Sequence, residues 1–307
     1  MKSSEAPTPS RISRRQIREA VVQLLHAASP KEEESSLPWS LVLANLDGKA
    51  LRLRARAILH LQQNRPSKTK PFFAQRGKAP ALIENFLDDR AAARSLRTLY
   101  KAEEELVELF DILRRQLKSE KEPHIVEDSL KQIQEQNLTS LASQAELTKA
   151  LGSPEACPQP LISLAKSLPP LLESSGLLRS LFKNDLPTRP ELKALSEALA
   201  DRAFLQEEAT QLHDLVLTHQ IATDKLVTEH LQNFAFDRLA QVDRAVIRLA
   251  ATELQHCPDI PPAVAINEAI EIARRFGGND SASFTNGILG KLKTVLSPET
   301  EKEKNEK

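Results

Sequence analysis

The most regular alternation of apolar and polar positions in the chain lies between Arg238 and Leu292. Leu239, Val242, Val246, Leu249, Ala250 and Leu254 recur at helical spacing, with Gln241, Arg244, Arg248, Thr252 and Gln255 on the other side, and predict an amphipathic helix. Asp243 and Glu253 interrupt its apolar stripe, where an unpaired carboxylate is costly, so both need partners. Pro258, Pro261 and Pro262 close this helix and open the next, since proline suits a first turn but not an interior. Ala265, Ile266, Ala269, Ile270, Ile272, Ala273 and Phe276 define a second buried stripe, with Glu271 in reach of Arg275. Gly277 and Gly278 stop it. Asp280 is placed to cap a third helix near Ser283, with Phe284, Ile288, Leu292 and Val295 as its inner face.

Elsewhere the same rules give coarser pieces. Residues 1–10 are polar and proline-bearing and predict a disordered lead-in, and residues 297–307 a solvated charged tail. Between them, residues 11–29 carry a first helix: Ile17, Val21, Leu24 and Leu25 face one way, and Arg11, Arg14, Arg15 and Arg18 the other. That arginine row is either a solvated face or a ridge for phosphates. Thirteen of the 19 prolines lie in residues 30–190 and divide that span into helical pieces. Leu96, Leu99, Leu106, Leu109, Ile112 and Leu113 predict one long helix there, and residues 125–151 a second. Leu205, Leu212, Leu215, Val216, Leu226, Val227 and Leu231 predict core positions of a further helix, and His213, His219 and His230 read as surface histidines.

Composition supports an all-α chain: aromatics make up 4% and there are only 8 glycines, too few for a turn-rich sheet fold. With 42 basic and 42 acidic side chains, any polyanion binding has to come from local clusters. One cluster is clear, because residues 49–78 hold nine Lys and Arg residues and no acid. Among them Arg52, Arg54, Arg56, Lys68 and Lys70, with Phe72 and Phe73 beside them, have the composition of a single-stranded RNA contact. Equally, those charges could be solvated and the phenylalanines core. Cys157 and Cys257 form neither a disulfide framework nor a metal set and read as reduced cytosolic thiols. No apolar run is long enough to span a membrane. Phosphate loops, nucleophile elbows and metal-ligand clusters are missing, so the expectation is a non-enzyme with no cofactor and no metal.

The strings VDRAVIRLAATEL (242–254), DIPPAVAINEAIEIARRFGG (259–278) and DSASFTNGILGKL (280–292) resemble the C-terminal half of the NusB transcription antitermination factors. Residues 14–26, RRQIREAVVQLLH, resemble the family's opening arginine-rich helix, and residues 201–239 the helices between. The resemblance covers about residues 11–28 and 191–296. It implies an all-helical body of two subdomains, here with a long helical insertion after the first helix. It further implies a cytoplasmic factor that binds boxA-type single-stranded RNA with ribosomal protein NusE in an RNA polymerase antitermination complex. A related helical domain begins some RNA methyltransferases, but the chain ends soon after the resemblance, and the factor is the expectation. A helical scaffold without RNA is the third reading. Carried over by position, the RNA surface falls on Arg14, Arg15, Arg18, His26, Asp280 and Phe284. His26 stands where the family often has tyrosine, and Gln16 where it has an arginine. Phe284 is either a base contact or core. Asp243 is either the contact for basic NusE or half of an internal salt bridge. Dimerisation is left open by the residues.

Overall fold

The computed structural model describes residues 11–27, 38–119, 122–231 and 235–296, with the side chain of Asp237 left out. The expected lead-in at 1–10 and tail at 297–307 lie outside the described residues. Among those described, the regular elements are all helical. They are α1 (Arg14–Ala27), α2 (Trp39–Val42), α3 (Ala44–Leu61), α4 (Arg65–Phe73), α5 (Ala79–Leu87), α6 (Arg90–Lys118), α7 (Pro123–Leu151), α8 (Ile162–Lys183), α9 (Lys193–His230), α10 (Gln241–His256), α11 (Pro262–Phe276) and α12 (Ser281–Leu296). Two compact units result: one takes Asp47–Leu199, the other the described residues up to Leu46 and from Ala200 onward. Their limits fall inside α3 and α9, not at the prolines near 30 and 190, because packing and not chain breakers divides the molecule.

In the 47–199 unit, α6 and α7 pair along their length and α8 packs against α7 and α4. No proline stands between residues 81 and 122, yet α5 and α6 are separate helices. Asp88 takes the left-handed conformation that ends α5, and the Asp89 carboxylate accepts from the Ala91 and Ala92 amides at 2.9 Å to start α6. Prolines divide the chain less than their number implies. Pro71 lies inside α4, and Pro169 and Pro170 inside the continuous α8, where Leu164, Leu168 and Leu171 are buried on both sides of them. Their packing outweighs the lost backbone bonds.

Arg65, one of the nine basic residues of the acid-free stretch, is 1% exposed. It donates to both oxygens of Glu103, at 3.0 and 2.7 Å, and to Gln62 and Ser175. Ser140 donates to Glu103 at 2.6 Å, and Gln144 donates to Ser140 and Ser175. This buried network joins the end of α3 to α4, α6, α7 and α8.

In the other unit, α10 is central, touching α1, α11 and α12. It is buried on more sides than its amphipathic pattern suggests: Thr252, on the supposed polar side, is 0% exposed. On α12, Ser281, Thr285, Ile288, Leu289 and Leu292 face inward while Val295 is exposed. The α11 stop depends on close approach rather than backbone angle. A Cβ on Gly277 would lie 2.4 Å from the Ser281 hydroxyl and 2.7 Å from the Ala273 carbonyl oxygen. The Ser281 hydroxyl in turn accepts from the Gly278 amide at 2.8 Å. Asp280 helps start α12 through its backbone carbonyl, which accepts from the Phe284 amide, and not through the expected carboxylate cap.

The buried network makes a prediction. Glu103→Ala leaves the Arg65 charge unpaired in the interior and should destabilise the 47–199 unit by about 3–5 kcal/mol in denaturant unfolding. The double change Arg65→Met with Glu103→Leu, which removes both charges, should recover most of that loss.

Candidate nucleic-acid interface

The first helix is fixed at its start by a reciprocal cap. The Gln16 amide donates to the Ser13 hydroxyl at 3.2 Å, and the Ser13 amide donates to the Gln16 side-chain oxygen at 2.9 Å. This is a capping box, and it gives Gln16 a local role that an arginine could not fill. Ile17, Ala20, Val21, Val22, Leu24 and Leu25 then bury one face.

Arg18 is buried with that face, contrary to its expected place on an exposed ridge. It is 3% exposed, and its Nε donates to both carboxylate oxygens of Glu253, at 2.8 and 3.0 Å. The reason is angular, since Arg18 follows Ile17 and precedes Val21 and Val22 on the side that meets α10. Glu253 thereby has the partner its apolar surroundings demand. Burial pushes the Glu253 carboxyl above its ordinary range, against the downward pull of Arg18.

The remaining α1 arginines are exposed. Arg15 forms a fork to Glu268 of α11, at 2.7 and 2.8 Å, and this bond holds the Glu268 carboxyl below its ordinary range. Arg14 stands 3.8 Å from Asp259, a loose contact between two exposed groups. It borders a cleft of about 270 Å³ also lined by Glu208, Leu212, Leu215 and Cys257. Glu19 binds Arg275, which leaves Glu271 to Arg274 instead of the expected Arg275. These tertiary partners, Glu268, Asp259 and Arg275, lie more than 200 residues from α1 in sequence, and no spacing rule could have found them.

His26 is exposed at the far end of α1, about 16 Å from Arg15 by the helical rise. Its carbonyl accepts from Gln241, and its side chain lines an apolar hollow with Val22, Val242 and Phe276. Asp280 is exposed four residues beyond Phe276, while Phe284 is half-buried against the core. Of the six carried-over positions, Arg14, Arg15, His26 and Asp280 are exposed, Phe284 is half-buried and Arg18 is buried.

Asp243 is 9% exposed, and its Oδ1 has no hydrogen-bond partner among the described residues. No ion pair satisfies it in the way Arg18 satisfies Glu253. The expected surface histidines also differ. His213 is 3% exposed with no hydrogen bond at either ring nitrogen, and His219 stacks on His256 with ring centroids 3.6 Å apart.

In the 47–199 unit the aromatic part of the basic stretch turns inward. Phe72 is fully buried and stacks on Tyr100, centroids 4.3 Å apart, and Phe73 packs half-buried against both. The Tyr100 hydroxyl donates to the Phe72 carbonyl at 3.2 Å, and burial pushes its pKa up to about 12. Phe72 therefore offers no free face to a base, while Phe73 stays half-exposed at the edge of this cluster. Arg54 also turns inward and donates to the Asn184 side chain. Its Nε is buried without an acceptor, and desolvation lowers its pKa. Arg52 and Lys68 are half-exposed, Arg56 and Lys70 exposed, and Lys68 lies 3.5 Å from Glu173.

A model described as the NusB family matches residues 178–294. The transcription antitermination protein NusB of Bacillus velezensis is 41% identical over 122 residues, covering 39% of this chain and 91% of that protein. The chain belongs to the NusB family. Similar relatives of the same name include those of Bacillus subtilis, 41% identical and covered over 90%, and Myxococcus xanthus, 33% identical and covered over 90%. In both, the match takes 39% of this chain. A solved T. maritima NusB is 33% identical, with 38% of this chain and 82% of that one covered, at a TM-score of 0.30. The family model includes α10, α11 and α12, with Asp243, Asp280 and Phe284. Arg14, Arg15, Arg18 and His26 of α1 and most of the 47–199 unit fall outside it.

Among the α1 arginines, stability should separate Arg18 from its neighbours. Arg18→Ala strands the Glu253 charge and should lower unfolding free energy by about 3–5 kcal/mol, whereas Arg14→Ala should change it by less than about 0.5 kcal/mol. Chemical denaturation of the two variants checks this.

Proposed function

We propose that this NusB-family chain is a transcription antitermination factor that binds boxA-type single-stranded RNA together with ribosomal protein NusE. The observation that carries this reading is the docking of α1 onto the family-matched helices. Arg18 meets Glu253 of α10, Arg15 meets Glu268 of α11, and Glu19 meets Arg275 of α11. A helix so held keeps Arg14, Arg15 and His26 at the surface of the domain that the named relatives share. Arg14 and Arg15 are the phosphate contacts in this reading, and Arg18 is their anchor. Asp280 and the half-buried Phe284, at the start of α12, complete the RNA surface in this reading.

Each exposed arginine has a carboxylate neighbour, so RNA phosphates must compete with Glu268 and Asp259 for them. The Arg15–Glu268 tie holds at neutral pH. Because the Glu268 carboxyl is held below its ordinary range, the stability this tie supplies is lost only as pH falls through that lowered value. Asp243 suits a contact with a basic protein. It is a carboxylate on the family-matched α10 whose Oδ1 has no partner among the described residues, and a cation from NusE would satisfy it.

Titrating the chain with boxA RNA and with a scrambled sequence, with and without NusE, tests the reading, which expects preference for boxA and tighter binding with NusE. Equal affinity for both RNAs would sink it. Glu268→Gln releases Arg15 and should steepen the slope of log affinity against log salt by about 0.7. Asp243→Asn should weaken NusE binding while leaving the melting temperature unchanged or higher, since it removes an unsatisfied buried charge. A lower melting temperature would instead mean that the carboxylate supports the fold.

A further inference from the structure

The 47–199 unit carries a row of cations that the family match does not cover. On α3, Lys49, Arg52, Arg56 and His60 recur at spacings of three and four, which puts them on one outward face. Lys49, Arg56 and His60 are exposed and Arg52 is half-exposed. The opposite face is pinned by Ala50, Ala55, Ala57 and Ile58, all buried, so the row stands on a fixed helix. Asp47, the acid on this helix, lies on that other side.

The row combines this one-sided spacing with an acid-free stretch of sequence and no paired carboxylate among the described residues. Several other exposed cations of the unit are matched by neighbours, Arg76 by Glu104, Arg97 by Glu84, Arg114 by Asp111 and Lys131 by Glu127, whereas others, among them Arg90, Arg94 and Arg179, stand without one among the described residues. Among the described residues, Lys49, Arg52 and Arg56 make no ion pair. Like charges three and four residues apart repel one another along a helix, and a bound polyanion removes that repulsion. The row spans about 10 Å from Lys49 to Arg56, enough to reach successive phosphates of one strand.

We infer that the Lys49, Arg52 and Arg56 face of α3 is a second RNA contact, one that grips backbone phosphates without reading bases. The face presents no large exposed apolar side chain, which argues against a protein partner with an apolar interface core. Phe72, the fully buried ring of the acid-free stretch, is stacked on Tyr100 and does not serve as a base platform. The choice of RNA over another polyanion rests on the antitermination reading above.

The test is fluorescence anisotropy of the full chain with a labelled oligouridylate over a range of salt. Lys49→Ala/Arg52→Ala/Arg56→Ala should flatten the slope of log affinity against log salt by about 2, at about 0.7 for each lost phosphate contact. The charge-conserving triple K49R/R52K/R56K should keep the original slope. A control triple with the same charge loss at paired cations, Arg97→Ala/Arg114→Ala/Lys131→Ala, should change it far less. Alanine favours helix, and helical circular dichroism verifies that each variant folds; glutamine in place of alanine gives the same comparison if one does not. An unchanged slope in the α3 triple overturns the proposal, as does equal flattening by the control, which would mark a net-charge effect. Loss of boxA preference in the unmodified chain, by contrast, bears on the specific RNA reading and leaves this comparison intact.

Discussion

The buried pair between Arg18 and Glu253 is the constraint on which the family-matched unit depends. Either charge alone in that interior would be costly, and together they are tolerable only at the 2.8 Å geometry that Nε and the carboxylate achieve. The pair therefore fixes where α1 lies against α10, and with it the surface on which Arg14, Arg15 and His26 stand. The 47–199 unit follows the same logic around Arg65 and Glu103, where a polar network joins five parts of the chain. In both units a buried arginine aligns helices whose apolar faces alone would permit several registers.

Helices were the legible part of this sequence. The leucine spacing from Leu96 to Leu113 and the proline-bounded stripe of α11 both appear as read, because a 3.6-residue period needs no tertiary knowledge. Tertiary pairing was not legible. Arg18 shares residue type and spacing with Arg14 and Arg15, yet only Arg18 turns inward, since its angle on the helix meets an acid 235 residues away. Phe72 beside basic residues has the composition of a base platform, and its burial depends on Tyr100 of another helix. Asp243 and Glu253 were equally conspicuous in one stripe, and only the fold distinguishes the paired acid from the one with an unsatisfied oxygen. Interruptions were misleading in both directions, for Asp88 and Asp89 break a helix that no proline breaks, while Pro169 and Pro170 break none.

Equal totals of acid and base conceal an uneven surface. Most exposed arginines and lysines near α1 and α6 are held by carboxylates, which keeps the field weak and makes polyanion binding a competition. Along one face of α3 the chain carries Lys49, Arg52 and Arg56 with no paired carboxylate among the described residues. The proposed division of labour follows from this difference. The family-matched unit supplies recognition through partly neutralised groups that demand a fitted ligand, and the α3 face supplies attraction that any RNA backbone satisfies.

The most direct measurement of the central claim is where RNA touches the chain. Ultraviolet crosslinking of the full chain to boxA RNA, followed by mass spectrometry, should recover adducts in residues 11–27 and at the start of α12 around Asp280 and Phe284. Adducts confined to other segments, with none on α1, would contradict the view that Arg18 anchors α1 so that its outer face can meet RNA.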